Sequence, residues 1–248
     1  LGLHLPTKSM VALDGDAARV DGQRWIRCTQ SVTLGCNWLV PDEKSDAYQR
    51  GRCLSDSLIR REPDAADTPA REKLVPTAAA LRRLVYQLVD IGLPVEPFWQ
   101  RQNGLAFDLL SSYSEEQRVT IGHANGVITI DLVESLDAYR ESLRVRLGEP
   151  YRTMLGHFRH EVGHYYQNVL VETGSGADRY LAECRDLFGD EQASYSDAID
   201  RHYTFGAPED WHNSFISEYA TMHPWEDFAE CFAHYLHIAD TIDTSREA

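Results

Sequence analysis

The sequence predicts an α+β protein, and three observations predict it. Apolar residues recur at helical spacing in 77–91, 150–169 and 224–242. Between the first two of these helices, β-branched runs flank the tight-turn signal Ala124-Asn125-Gly126. The stretch 104–110 (GLAFDLL) is short and almost wholly apolar, as a buried strand would be. A length of 248 residues fits one large domain, or one domain with a smaller appendage.

Taken in order, residues 1–24 are mixed and mostly polar and read as irregular. Residues 25–60 hold Cys28, Cys36 and Cys53 with Trp25 and Trp38 nearby, and 1–62 is expected to form a small N-terminal cysteine-containing, β-rich module. The charged stretch 61–73, with two prolines, reads as a linker to a second domain spanning 75–244. A helix is expected after Pro76-Thr77, carried by Leu81, Leu84, Val85, Leu88 and Ile91 and stopped by Gly92 and Pro94. Residues 118–133 read as a hairpin and 135–147 as a helix. The next helix opens at Glu149-Pro150 and runs through Phe158, Val162, Tyr166 and Val169, stopping before Gly174. Shorter helical pieces fill 178–203. A last helix runs from Pro224 to about Ile242, with Phe228, Cys231, Tyr235 and Ile238 as its expected packing face.

Composition excludes several classes of function. Hydrophobic residues make up 43% and charged residues 25%, enough for a core. No apolar run approaches the ~18 residues of a spanning helix. A net charge of −15 argues against nucleic-acid and anionic-membrane partners, which need surplus cationic groups. Five cysteines, an odd count spread along the chain, argue against a disulfide framework and for a reducing, cytoplasmic setting. No leader pattern opens the chain; since it begins at Leu1 rather than Met, this carries little weight.

The chemistry concentrates in His160-Glu161-Val162-Gly163-His164, an HExxH on an expected helix. Four residues advance a helix by about 400° and ~6 Å, so both imidazoles project from one face and can reach one Zn2+. Glu161 lies beside the first of them, within reach of a water on the metal. Catalytic zinc usually keeps three protein ligands and one open position. Glu226 and Glu230, one turn apart on the last helix, are the candidates for the third; the bland alternative is that these acids merely favour a helix N-terminus.

HExxH followed by a helix bearing E-x-x-x-D/E resembles the gluzincin pattern of zinc metallopeptidases. That resemblance implies Glu226 as third ligand and Glu230 as the group that buttresses a ligand histidine. The stretch SEYATMHPWEDFAECFAHYLH is similar to the zinc-binding helix of the anthrax lethal factor protease, which implies Tyr219 as a hydrogen-bond donor to the oxyanion. The stretches GLAFDLL, GHANGVITIDL, LGEPYRTMLGHFRHEVGHYY, DRHY and HPWEDFAECFAHYLHI together resemble a family of zinc-binding metallopeptidases with an N-terminal zinc ribbon, over about residues 25–242. The ribbon itself is not in this chain. The resemblance implies a zincin-like domain, with the strand at 127–133 as the edge that lines the cleft and pairs with an extended substrate. It also implies a second cysteine group, to which Cys28, Cys36 and Cys53 fit while the remaining position falls near Arg50, which cannot bind metal. A three-thiolate metal site with an outside ligand and three simple thiols both stay open. Arg52-Cys53-Leu54-Ser55 resembles the ligand segment of peptide deformylases only faintly, since it lies far upstream of His160 across the charged 61–73 stretch.

The expected chemistry is hydrolysis of a peptide or protein substrate. Zn2+ on His160, His164 and Glu226 lowers the pKa of its water toward ~7, and Glu161 moves the proton to the leaving amine. Zn2+ and Tyr219 stabilise the oxyanion. Two rivals remain: a non-catalytic zinc-binding interaction module, and a zinc hydrolase of a non-peptide amide. The first has no use for Glu161. His157, His202, His212 and His223 are candidates to line the cleft, His123 reads as structural, and His234 and His237 flank the last helix. The substrate's identity and the oligomeric state are not legible.

Overall fold

Short strands begin the chain. β1 (Gly2–His4) pairs antiparallel with β2 (Ser9–Val11), and β3 (Ala17–Val20), β4 (Gln23–Arg27) and β5 (Leu39–Pro41) form a meander in that order. The irregular N-terminus expected over 1–24 is therefore corrected: half of it is strand. Strands of three to five residues are too short to show alternation. The turn between β3 and β4 is Asp21-Gly22, both with positive φ (49° and 82°), a two-residue loop of the kind Asp-Gly favours. The computed structural model describes residues 1–43, 51–116, 118–132, 153–174 and 176–247. The helix expected at 135–147, the opening Glu149-Pro150 and residue 50 lie outside the described residues.

A five-residue helix, α1 (Leu54–Leu58), leads into β6 (Ile59–Arg61), and α2 (Thr68–Asp90) follows. The linker reading of 61–73 holds only in part. Asp67 caps α2 by accepting from the amide of Ala70, and Pro69 sits in its first turn, so the helix starts well before Pro76. Pro76 is tolerated inside it on the exposed face. Leu81, Leu84, Val85 and Leu88 are fully buried, as their spacing predicts.

The larger sheet has the order β6–β7–β9–β8, with β7 at Ala106–Leu110, β8 at Gly122–Ala124 and β9 at Val127–Asp131. β6, β7 and β9 are parallel, and β8 runs antiparallel to β9 across the Asn125-Gly126 turn. The hairpin and the buried strand at 104–110 are thus present. β9 is flanked on both sides, so it is not the edge strand expected at 127–133; among the described residues β8 holds that position.

The chain divides into two compact units, Leu1–Leu136 and Asp137–Ala248. The expected boundary between 62 and 75 falls inside the first, where α1 packs on α2 and β6 pairs with β7. The second unit contains α3 (Met154–Tyr166), α4 (Ala177–Phe188), α5 (Tyr195–Phe205) and α6 (Pro224–Glu247). α3 continues through a π-turn to Glu172 and packs along α6. No described helix is long and apolar enough to cross a membrane.

Candidate metal centre

The HExxH segment lies on α3. Thr153 caps the helix, which starts at Met154, by accepting from the amide of Gly156. Phe158, Val162 and Tyr166 are fully buried. One turn of helix separates His160 from His164, and their rings meet edge to face with centroids 4.9 Å apart.

α6 begins with Pro224 in its first turn, and the amides of Glu226 and Asp227 bond the carbonyl of His223. Its buried stripe is Glu226, Ala229, Ala233 and Leu236, at helical spacing. The packing face expected for this helix is corrected in part: Phe228 packs against Phe188 and Cys231 is half-buried, but the other two residues are exposed. Tyr235 is 62% and Ile238 53% exposed, because α3 approaches over small residues that a reading by aromatic content passes over. Gly163, inside the motif, meets the backbone of Ala229: a Cβ placed there would lie 2.9 Å from the Ala229 Cα.

This approach brings three ligand atoms together. His160 Nε2 lies 3.2 Å from His164 Nε2 and 3.0 Å from Glu226 Oε2, and His164 Nε2 lies 3.6 Å from Glu226 Oε2. Two ligands each ~2.0–2.1 Å from a tetrahedral zinc sit roughly 3.3–3.4 Å apart, so the triangle has the size of one face of such a shell. Glu226 Oε2 is buried, faces both imidazoles, and has no hydrogen-bond donor among the described residues. Acceptor atoms converging without a donor between them fit a cation.

Supporting contacts hold two of the three, His160 and Glu226. Glu230 Oε1 lies 2.7 Å from His160 Nδ1, and its other oxygen accepts from the Ser217 hydroxyl at 2.8 Å; Ser217 in turn accepts from the Ala220 amide. The Glu230 contact makes Nδ1 the protonated nitrogen and frees Nε2 for a metal. Tyr195, at the start of α5, donates to Glu226 Oε1 at 2.8 Å and leaves only Oε2 facing the imidazoles. Burial pushes the Glu226 carboxyl up, but the His160 and His164 imidazoles outweigh it and hold the carboxyl well below its usual range. Burial lowers His160, and its two carboxylate neighbours, Glu226 and Glu230, more than reverse that. A field that holds an imidazolium proton is also one that favours a divalent cation in its place. Glu230→Ala is expected to weaken zinc binding roughly 10–100-fold, read by competition with a chromophoric chelator.

Glu161 is buried on α3. One oxygen lies 3.4 Å from His157 Nε2, and the other has no donor among the described residues. Burial raises its carboxyl, but His157 and then the two motif imidazoles bring it below its ordinary value, so it is a carboxylate. The Tyr219 ring lies 6.0 Å from that of His160, and its hydroxyl interacts with that of Tyr195. Burial, then the negative charge of Glu226, raises both phenols, which keeps both as donors.

Among the other histidines, the His202 ring packs 6.0 Å from Tyr219, His223 is tied to the carbonyl of Ala193 and the amide of Trp225, and His212 is exposed. His123 accepts from the Gly126 amide in its hairpin and is structural. His237 Nδ1 lies 3.3 Å from an Arg159 guanidinium nitrogen. Sequence reasoning missed Tyr195; its only local signal is the Ser194 cap before it.

The first unit gathers Cys28, Cys36 and Cys53 at one buried point, joined by Asp56, which sequence reasoning also missed. Cys184 is buried and Cys231 half-buried, each apart from that cluster.

Residues 71–248 match a family described as "Putative zinc-binding metallo-peptidase". Over 246 residues the chain is 50% identical to uncharacterized proteins of Mycobacterium tuberculosis (strains H37Rv and CDC 1551) and Mycobacterium bovis, covering 99% of this chain and 68% of each relative. No solved structure matches, so the likeness of the last helix to the lethal factor protease rests on sequence alone.

Proposed function

The chain belongs to this family of zinc-binding metallopeptidases, and from that premise we propose that it is a zinc-dependent peptidase whose metal is held by His160, His164 and Glu226. The observation that carries this reading is the oxygen of Glu226 set 3.0 and 3.6 Å from two imidazole nitrogens with no donor among the described residues. Among the described residues this group offers three ligand atoms and no fourth, which suits a catalytic rather than a closed structural site. Zinc bound there supplies Lewis acidity, bringing the pKa of water toward ~7 and polarising a carbonyl.

The protein's own groups do the rest. Glu161, an ionised carboxylate with one oxygen unpartnered among the described residues, accepts the proton of the attacking water and delivers it to the leaving amine. Glu230 holds His160 in the tautomer that offers Nε2. Tyr195 positions Glu226. Tyr219, kept protonated by burial and by the charge of Glu226, donates to the oxyanion as the carbonyl becomes tetrahedral. We read α3 and α6 as the two zinc helices of a zincin-like domain, and place the protein in the cytoplasm, where its five thiols stay reduced.

Digestion of a broad peptide library tests this. Wild type is expected to cleave, to stop when zinc is chelated, and to resume when zinc is returned. Tyr219→Phe is expected to keep its metal and lose roughly 10²–10³-fold in kcat. If wild type cleaves nothing, the non-catalytic interaction module takes over.

A further inference from the structure

We infer that Cys28, Cys36, Cys53 and Asp56 bind a second zinc ion in the first unit, in a closed four-ligand site that is structural. The family match begins at residue 71, so its zinc-binding description does not extend to these four residues. Their four ligand atoms lie within 4.8 Å of one another and all four residues are buried. Cys36 Sγ is 3.6 Å from Cys53 Sγ, and Asp56 Oδ2 is 3.3 Å from both Cys28 Sγ and Cys53 Sγ. Around a tetrahedral zinc, with Zn–S of ~2.3 Å and Zn–O of ~2.0–2.2 Å, sulfurs sit roughly 3.8 Å apart and sulfur and oxygen roughly 3.5 Å apart. These three separations match that shell to a few tenths of an ångström, and the remaining pairs lie within 4.8 Å.

Two further features point the same way. Backbone amides aim at the sulfurs: Gln30 and Cys53 donate to Cys28 Sγ at 3.5 and 3.2 Å, and Asp56 donates to Cys53 Sγ at 3.4 Å. Such donors stabilise thiolates, the form that binds metal, far more than thiols. Asp56 is also held as a one-oxygen ligand. Arg82, itself buried, donates to Oδ1 at 3.1 Å and to the Leu34 carbonyl at 3.0 Å, which leaves Oδ2 for the metal. Three thiolates and a carboxylate leave two net negative charges on a zinc complex, and Arg82 offsets one of them.

The spacing is Cys53-x-x-Asp56 across the start of α1, where Cys53 is the cap residue. Two intervening residues bring ligand atoms together there as in C-x-x-C zinc sites. The fourth ligand thus lies after Cys53, not at the position near Arg50 where the resemblance put it. All four positions of the shell belong to the protein, which leaves no place for substrate.

The test uses the whole chain carrying His160→Ala and His164→Ala, so that success or failure of the peptidase reading does not affect it. Zinc analysis is expected to find about one ion per chain, and cobalt exchange to give an intense thiolate-to-cobalt charge-transfer band. Adding Cys53→Ser is expected to remove both. Adding Asp56→Cys is expected to retain the ion and strengthen the band, which keeps the test decisive if the serine variant does not fold. A chain with no metal, a cobalt form without the band, or a Cys36–Cys53 disulfide in its place overturns the inference.

Discussion

Glu161→Gln is expected to keep zinc at wild-type stoichiometry and to lose roughly 10²–10⁴-fold in kcat for peptide hydrolysis, the range of a positioned general base. The substitution preserves shape and removes only the proton-accepting charge. Glu161 is not among the three convergent ligand atoms, so the metal has no reason to leave. Its buried oxygen has no donor among the described residues, which makes the carboxylate costly unless something uses it. A variant that hydrolyses at the wild-type rate removes Glu161 from the chemistry. Loss of metal together with loss of rate would make it a ligand instead.

Gly163→Val is expected to damage both stability and the metal centre. In an ordinary helix a glycine is a weak point, and replacement by alanine gains about 1 kcal/mol. Here the added Cβ meets the backbone of Ala229 at 2.9 Å, and backbone cannot turn aside as a side chain can. α3 and α6 must move apart, at a cost of about 3 kcal/mol for valine, at the upper end of overpacking effects. His164 lies one residue from Gly163 and Glu226 one turn before Ala229, so the same movement opens the ligand triangle. Thermal unfolding and zinc competition on one sample read both effects. An unchanged midpoint, or a lower midpoint with undiminished zinc affinity, contradicts this account of the glycine.

What was legible in the sequence follows from where the information lies. HExxH is local: one helix sets the His160 to His164 distance, whatever surrounds it. The hairpin at Asn125-Gly126 is local as well, and both central residues have the positive φ that turn needs. Spacing and resemblance single out Glu226 and Glu230, but only packing of α6 on α3 brings them to the histidines. Tyr195 and Asp56 reach their partners across the fold, Tyr195 onto another helix and Asp56 onto Cys28. No pattern of spacing announces such contacts. Large apolar residues alone do not locate the face that the last helix turns to α3: beside the stacked Tyr166 and Phe232 rings, the closest approach is Gly163 on Ala229, which needs small side chains. Asp21-Gly22 was a legible hairpin signal hidden in a polar stretch.

The most direct measurement is a crystal structure of the zinc-loaded protein with anomalous scattering recorded at the zinc edge. A peak is expected within roughly 2.0–2.2 Å of His160 Nε2, His164 Nε2 and Glu226 Oε2, with no fourth protein ligand. A peak that excludes Glu226, or no peak between the two imidazoles, contradicts the proposed site.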